Sequence, residues 1–231
     1  LKIETILSPS LFYQLENIEE KTVVVIDILR ATSTISTILQ NGASAVIPVR
    51  EENEAKMYQD KGYLVGGERG GETIPGFDFG NSPFSYTPEM VKNKEVVLTT
   101  TNGTKCLDMA SSAHTVITGA FLHLQSVIDF LAKEQRDTVL FCAGWKDRTN
   151  LEDSLFAGAV VQLLDAEFDD ASLLCKQAYQ ICGNNLFQSL QNSNHFQRLA
   201  KKGVIKDIEY CCEIDLFDIV PVLQNGKLIV T

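Results

Sequence analysis

The residues able to do chemistry in this 231-residue chain fall in a few short stretches. In VVVIDILRATST (residues 23–34), Asp27 follows four apolar residues, and Arg30 and the hydroxyls of Thr32, Ser33 and Thr34 come soon after. An acid set against a buried run is costly unless something uses or pairs it, so Asp27 and Arg30 read as functional. Thr32 and Ser33 suit two roles equally, capping a helix and holding an anion. In TTTNGT (99–104), Thr101, Asn102, Gly103 and Thr104 lie between an apolar run and a helical one, where backbone N–H groups can face an anion. GGERGGETIPGFDFGNSP (66–83) carries Glu68 and Arg69 ahead of a glycine- and proline-rich loop. It does not follow the GxGxxG-then-helix pattern of a dinucleotide loop, and Phe77 and Phe79 read as packing the loop down.

CAGWKDRTNLED (142–153) presents two further arrangements. Cys142 stands six positions before Arg148, with Thr149 next, which is the spacing of cysteine-dependent phosphatases. In those enzymes a thiolate attacks phosphorus while loop N–H groups and the arginine hold the phosphate oxygens. Glu152 and Asp153 then open a helix, a place that suits acids through the macrodipole and suits a metal ion equally well. His114, His123 and His195 are scattered and read as surface or core residues.

These stretches have a common position: each leaves an apolar run short enough to be a strand covered on both faces. Strands are expected over 23–26, 45–49, 63–66, 95–99, 115–118 and 138–141. Helices are expected over 32–40, 51–60, 104–110, 124–133 and 151–164, with more helix over 170–202 interrupted near Gly183. Such alternation predicts an α/β fold with a largely parallel or mixed sheet, and Asn225-Gly226 predicts a hairpin near the end of the chain. In sheets of this kind ligands bind beyond the carboxyl ends of the strands, where the residues above gather. The chain reads as one α/β domain over 1–231, or as two intertwined lobes over about 1–135 and 136–231.

Composition narrows the partners. With 45% hydrophobic and 22% charged residues the chain resembles an ordinary soluble protein, and its net charge of −10 excludes nucleic acid and anionic membrane as main partners. A small anionic ligand in a local cationic pocket remains compatible with that charge. No apolar run approaches a membrane span, and residues 1–20 lack a basic segment followed by an apolar one, so the expected compartment is the cytoplasm. The six cysteines show no CxxC spacing and are expected to be reduced thiols.

VVVIDILRATSTI, GERGGETIPGFDFGNSP, TTTNGT, and CAG followed by LED occur in that order. Together they resemble the 2-phosphosulfolactate phosphatase family, from about Thr22 to Gly158 and more weakly through VPVL. The resemblance implies a three-layer α/β/α fold, a homodimer, and a Mg²⁺-dependent acid phosphatase. Its reaction would convert 2-phosphosulfolactate to sulfolactate and phosphate on the route to coenzyme M. It points to Asp27, Glu68 and Asp153 as ligands for Mg²⁺, which prefers oxygen donors. Arg30, Arg69 and Lys105 are then cations for a substrate with several anionic groups. Between CAG and LED the family has small residues, whereas Trp145, Lys146, Asp147 and Arg148 are large or charged, a difference that bears on the substrate. The nucleophile is Asp27 or a metal-bound water. Leu29 occupies the place where an aspartyl-nucleophile phosphatase has its second aspartate, which favours a ligand role for Asp27. Two other readings stand beside this one: cysteine catalysis through Cys142 and Arg148, and a non-catalytic anion- or nucleotide-binding α/β protein.

Overall fold

The computed structural model describes residues 1–183 and 185–230. The first half comprises β1 (Lys2–Ile6), β2 (Thr22–Ile26), α1 (Ala31–Gln40), β3 (Ala45–Pro48), α2 (Glu52–Gln59), β4 (Leu64–Arg69) and β5 (Glu72–Thr73). It continues with α3 (Pro88–Val91), β6 (Glu95–Thr99), α4 (Gly103–Met109), β7 (Thr115–Gly119), α5 (Leu124–Glu134) and β8 (Thr138–Cys142). A helical region follows: α6 (Leu151–Leu163), β9 (Glu167–Phe168), α7 (Asp170–Cys182), α8 (Leu186–Leu190), α9 (Asn194–Ala200) and α10 (Ile205–Cys211). The hairpin β10 (Pro221–Gln224) and β11 (Lys227–Val230) comes last.

The strands form one sheet in the order β5-β4-β6-β3-β11-β10-β7-β2-β8-β1-β9. It contains two parallel groups. β4, β6 and β3 make one, and β7, β2, β8, β1 and β9 the other. The terminal hairpin joins them, antiparallel to β7 at Val222↔Ile117 and to β3 at Leu228↔Val46. Asn225 and Gly226 both have positive φ, 51° and 76°, as a type I′ turn requires. The α/β class, the mostly parallel mixed sheet and the C-terminal hairpin are those that the alternation and Asn225-Gly226 predict.

What positions the site is the curvature of this sheet around α1. That helix is buried along nearly its whole length, although half of it is hydroxyl residues. Val46, Val96 and Leu98 of one parallel group and Val23, Val25, Val139 and Phe141 of the other share a core with Ile35, Ile38 and Leu39 of α1. Strands several places apart in the sheet therefore point their carboxyl ends at a common centre. The hydroxyls are accommodated because the backbone satisfies them: Ser36 donates to Thr32 O at 2.8 Å and Thr37 to Ser33 O at 2.8 Å. Ser33 donates to Ile28 O at 2.9 Å and Thr34 to Asn81 O at 3.1 Å.

On the outer face of the second group, α6 is buried on every side against β2, β8, α5 and α7. Gly158 makes this possible, since a Cβ there would fall 2.1 Å from the Cys175 carbonyl oxygen. Backbone cannot yield as a side chain can. Gly158→Ala is expected to lower stability by about 1–3 kcal/mol in urea unfolding, because α7 must move off α6. An unchanged midpoint would show that the two helices separate freely.

Candidate active site

The site begins with the turn that leaves β2. Asp27 has its N–H bonded to Thr32 Oγ1 at 3.2 Å and accepts from Ala31 N at 3.4 Å, so the start of α1 folds back over its own carboxylate. Asp153, in the first turn of α6, holds the turn from behind. Its two oxygens accept from Ile28 N at 2.9 Å and Gly144 N at 3.0 Å, joining the exits of β2 and β8. On the other side α4 starts almost in contact with the turn. A Cβ on Gly103 would lie 2.5 Å from the Ala31 Cβ and 2.9 Å from Asp27 Oδ2.

Glu68, at the end of β4, ties the facing wall together. It accepts from Thr101 N at 2.8 Å beyond β6 and from Gly71 N in the β4–β5 turn. Between these walls lies a cavity of about 20 Å³ lined by Asp27, Arg30, Glu68, Asn81, Thr101, Asn102, Trp145, His195 and Arg198, among others. Arg30 reaches it from the start of α1 and is paired with Asp207 of α10, both buried. His195 and Arg198 come from α9. His195 Nδ1 is bonded to the buried Glu152 of α6, and its Nε2 lies 2.6 Å from Arg198 Nη2. Arg198 also donates to Gly70 O at 3.0 Å, and Trp145 lies beside both side chains, with Arg198 Cζ 4.9 Å from its ring centroid. Beyond this trio opens an outer cleft of about 620 Å³ that carries Arg148, Asn150, Asn192 and Asn194.

Low dielectric and like charge dominate the electrostatics. Asp27 is only 6% exposed, and burial pushes its carboxyl up to about 6, with the charges of Glu68 and Glu152 reinforcing the shift. Asp153 is pushed well above the usual carboxylate range, by burial first and then by the charges of Asp27 and Glu152. Among the described residues, no group of three or more His, Cys, Asp or Glu side chains is placed to hold a metal ion by itself. Asp27 and Glu68 nevertheless line one cavity with Asn81, whose Oδ1 is buried without a partner among the described residues. Two carboxylates and an amide oxygen suit Mg²⁺, which keeps several waters and takes the rest of its shell from substrate oxygens.

The structure brings together Asp27, Arg30, Glu68, Thr101 and Asn102, and sets Gly103 against them. Thr32 and Ser33 serve the backbone of the β2–α1 turn instead, and Thr104 exchanges hydrogen bonds with Thr100. Arg69 braces β4 against β6, donating to Thr99 Oγ1 at 2.9 Å, and lines a separate surface depression with Lys105, which pairs with Asp147 at 2.6 Å. Asp153 stands one layer behind the cavity. Cys142 is fully buried, its thiol pushed well above its ordinary value, while Arg148 is exposed in the outer cleft. The N–H groups of Ala143, Gly144, Trp145 and Arg148 are bonded within the protein, so four of the six loop donors that follow the thiol are turned away from a phosphate.

Sequence reasoning assigned no functional role to Asn81, Asp207, His195 and Arg198. The last two share a helix face at i, i+3, the one signal available for them. His195, read as a surface or core residue, is 7% exposed and lines the cavity.

A family model described as 2-phosphosulpholactate phosphatase matches residues 7–226. A protein of Caldanaerobacter subterraneus subsp. tengcongensis named probable 2-phosphosulfolactate phosphatase is 44% identical over 218 residues, covering 91% of this chain and 90% of its own length. Proteins with the same name from Thermotoga maritima and Carboxydothermus hydrogenoformans are 42% and 40% identical. The first covers 92% of this chain and 93% of its own length, the second 100% and 97%.

Two outcomes follow from the buried charges. A carboxyl raised to about 6 from 3.8 keeps a proton in the folded state that the unfolded chain has released. Its contribution to stability is therefore favourable at low pH and is lost as pH rises through that window. Without added divalent cation, Asp27→Asn should match the wild type near pH 4 and exceed it near pH 7 by on the order of 3 kcal/mol. Thermal unfolding across pH tests this, and a pH-independent difference would contradict it. Asp207→Ala leaves Arg30 buried without its partner and should cost about 3–5 kcal/mol, most of it recovered in Arg30→Met/Asp207→Leu. Urea unfolding of the single and double variants measures both.

Proposed function

The chain belongs to the 2-phosphosulfolactate phosphatase family and is a phosphatase, and we propose that it hydrolyses 2-phosphosulfolactate to sulfolactate and phosphate with Mg²⁺, on the route to coenzyme M. The observation that carries this reading is one cavity lined by two carboxylates, Asp27 and Glu68, and two guanidiniums, Arg30 and Arg198. Opposite charges converging there suit a cation and a phosphoryl group together.

Asp27 and Glu68 would hold the Mg²⁺, with Asp153 fixing the turn that carries Asp27. When bound, the ion neutralises charge on the phosphoryl oxygens. Arg30, held by Asp207, and Arg198 bind those oxygens and stabilise the charge that grows on them during transfer. Asn102 and Thr101 close the wall behind the phosphate. With Leu29 in the place of a second aspartate, water is the attacking group and Asp27 remains a ligand. The hydroxy acid and its own anionic groups extend into the outer cleft, where Arg148 and the amides of Asn150, Asn192 and Asn194 receive them. Cys142 takes no part, being buried outside the cavity.

Phosphate release from 2-phosphosulfolactate and 2-phospholactate, with Mg²⁺ and with EDTA, tests the reading. The expected result is Mg²⁺-dependent release that chelation abolishes, with the sulfonated ester preferred for its additional anion. Undiminished activity in EDTA would overturn the metal's role. No release from either ester, with both raising the melting temperature, would indicate a binding protein instead.

A further inference from the structure

We propose that His195 is the general base of this hydrolysis, oriented by Glu152 and covered at its acceptor nitrogen by Arg198. The inference rests on the phosphatase reading of the cavity and adds to it a residue that touches the reacting water.

The hydrogen bonds determine the tautomer. A guanidinium only donates, so the 2.6 Å contact from Arg198 Nη2 makes His195 Nε2 an acceptor. Nδ1 then carries the ring proton and donates it to Glu152 Oε1. Glu152 is fully buried in the first turn of α6, and its other oxygen has no partner among the described residues. Such a carboxylate fixes the ring and stabilises the imidazolium that forms when Nε2 takes a proton. The neutral ring thus presents its lone pair on the side where Arg198 and the cavity lie. The charged groups around it are Glu152 from α6, Asp27 and Arg30 from the β2 exit, Glu68 from β4, and Arg198 from its own helix. Its ring nitrogens are bonded to Glu152 and Arg198, not to Asp27 or Glu68.

Arg198 supplies the trigger. Its guanidinium has a neutral imidazole and a backbone carbonyl as partners, and a phosphate dianion attracts it more strongly than either. Turning to the substrate, it uncovers Nε2. Water then loses a proton to Nε2 as its oxygen bonds to phosphorus. The ester P–O bond breaks with its electron pair on the leaving oxygen, and the proton returns through solvent to that oxygen. Water and phosphomonoester become alcohol and hydrogen phosphate without net proton change.

The outer cleft, which His195 also lines, gives a small molecule access to this position and makes chemical rescue the decisive test. His195→Gln and His195→Gly are assayed with Mg²⁺ on 2-phosphosulfolactate and p-nitrophenyl phosphate, and their folding is checked by thermal unfolding. The expected result is a kcat about 100- to 10,000-fold lower in both variants, with KM changed much less. Added imidazole should restore turnover in His195→Gly in proportion to its free-base concentration, and leave His195→Gln unaffected. A folded His195→Gln within about threefold of wild-type kcat, or a folded His195→Gly that imidazole does not restore, overturns the proposal while the phosphatase reading stands. A wild type inert toward both esters overturns the reading and this role together.

Discussion

Asp27, Glu68, Glu152 and Asp153 are four carboxylates within one buried region, where water no longer screens them from each other. Isolated ionised acids are rarely tolerated there, so each must be bonded, paired or neutralised. Asp153 is met by two backbone N–H groups, Glu68 by two more, and Glu152 by His195. Asp27 is the least well hydrogen-bonded of the four. Among the described residues its carboxylate accepts one hydrogen bond, from Ala31 N, long at 3.4 Å, and burial raises its carboxyl to about 6 as it also raises that of Asp153. A cavity wall that holds an under-compensated carboxylate is prepared for a cation, whether a proton, a metal ion or an arginine.

The fold supplies the means of assembling that cluster from distant positions. Asp27 and Glu68 leave strands in different parallel groups of the sheet, with β6, β3, β11, β10 and β7 between β4 and β2. They meet because the terminal hairpin joins the groups and both groups pack on α1, whose hydroxyls are satisfied internally and so allow its burial. The last helices then complete the site from outside, α9 with His195 and Arg198, and α10 with the Asp207 that holds Arg30. Removing the carboxylates' partners would therefore be felt in both folding and chemistry.

How much of this is legible in the sequence depends on the range of the interaction. Continuous apolar runs such as Val23–Ile26 and the stop at Asn41-Gly42 are local, and the strands and helices they predict are present, most within a residue or two, with β4 running three residues past its expected end to Arg69. β1 is missed because Lys2, Glu4 and Thr5 interrupt its pattern; its place comes from pairing with β8 and β9, which no local pattern reports. Asp27, Arg30 and Glu68 are legible since they stand at strand exits. The hydroxyls of Thr32 and Ser33 are ambiguous in sequence, and only the positions of Asp27 N and Ile28 O show that they serve the turn. Glu152 and His195 lie 43 residues apart, and a lone histidine on a short helix carries no mark of the buried acid it faces. The C-x5-R spacing of Cys142 and Arg148 matches in sequence while most of its N–H groups are used elsewhere, which spacing alone cannot reveal.

The central claim is that the under-compensated carboxylate of Asp27 is the core of a hydrolytic site and not a structural element. The most direct measurement is kcat/KM for Mg²⁺-dependent phosphate release from 2-phosphosulfolactate by folded Asp27→Asn beside the wild type. The account predicts a loss of about 100-fold or more, in a variant that unfolds no more readily than the wild type at pH 7. Full activity in Asp27→Asn would contradict it.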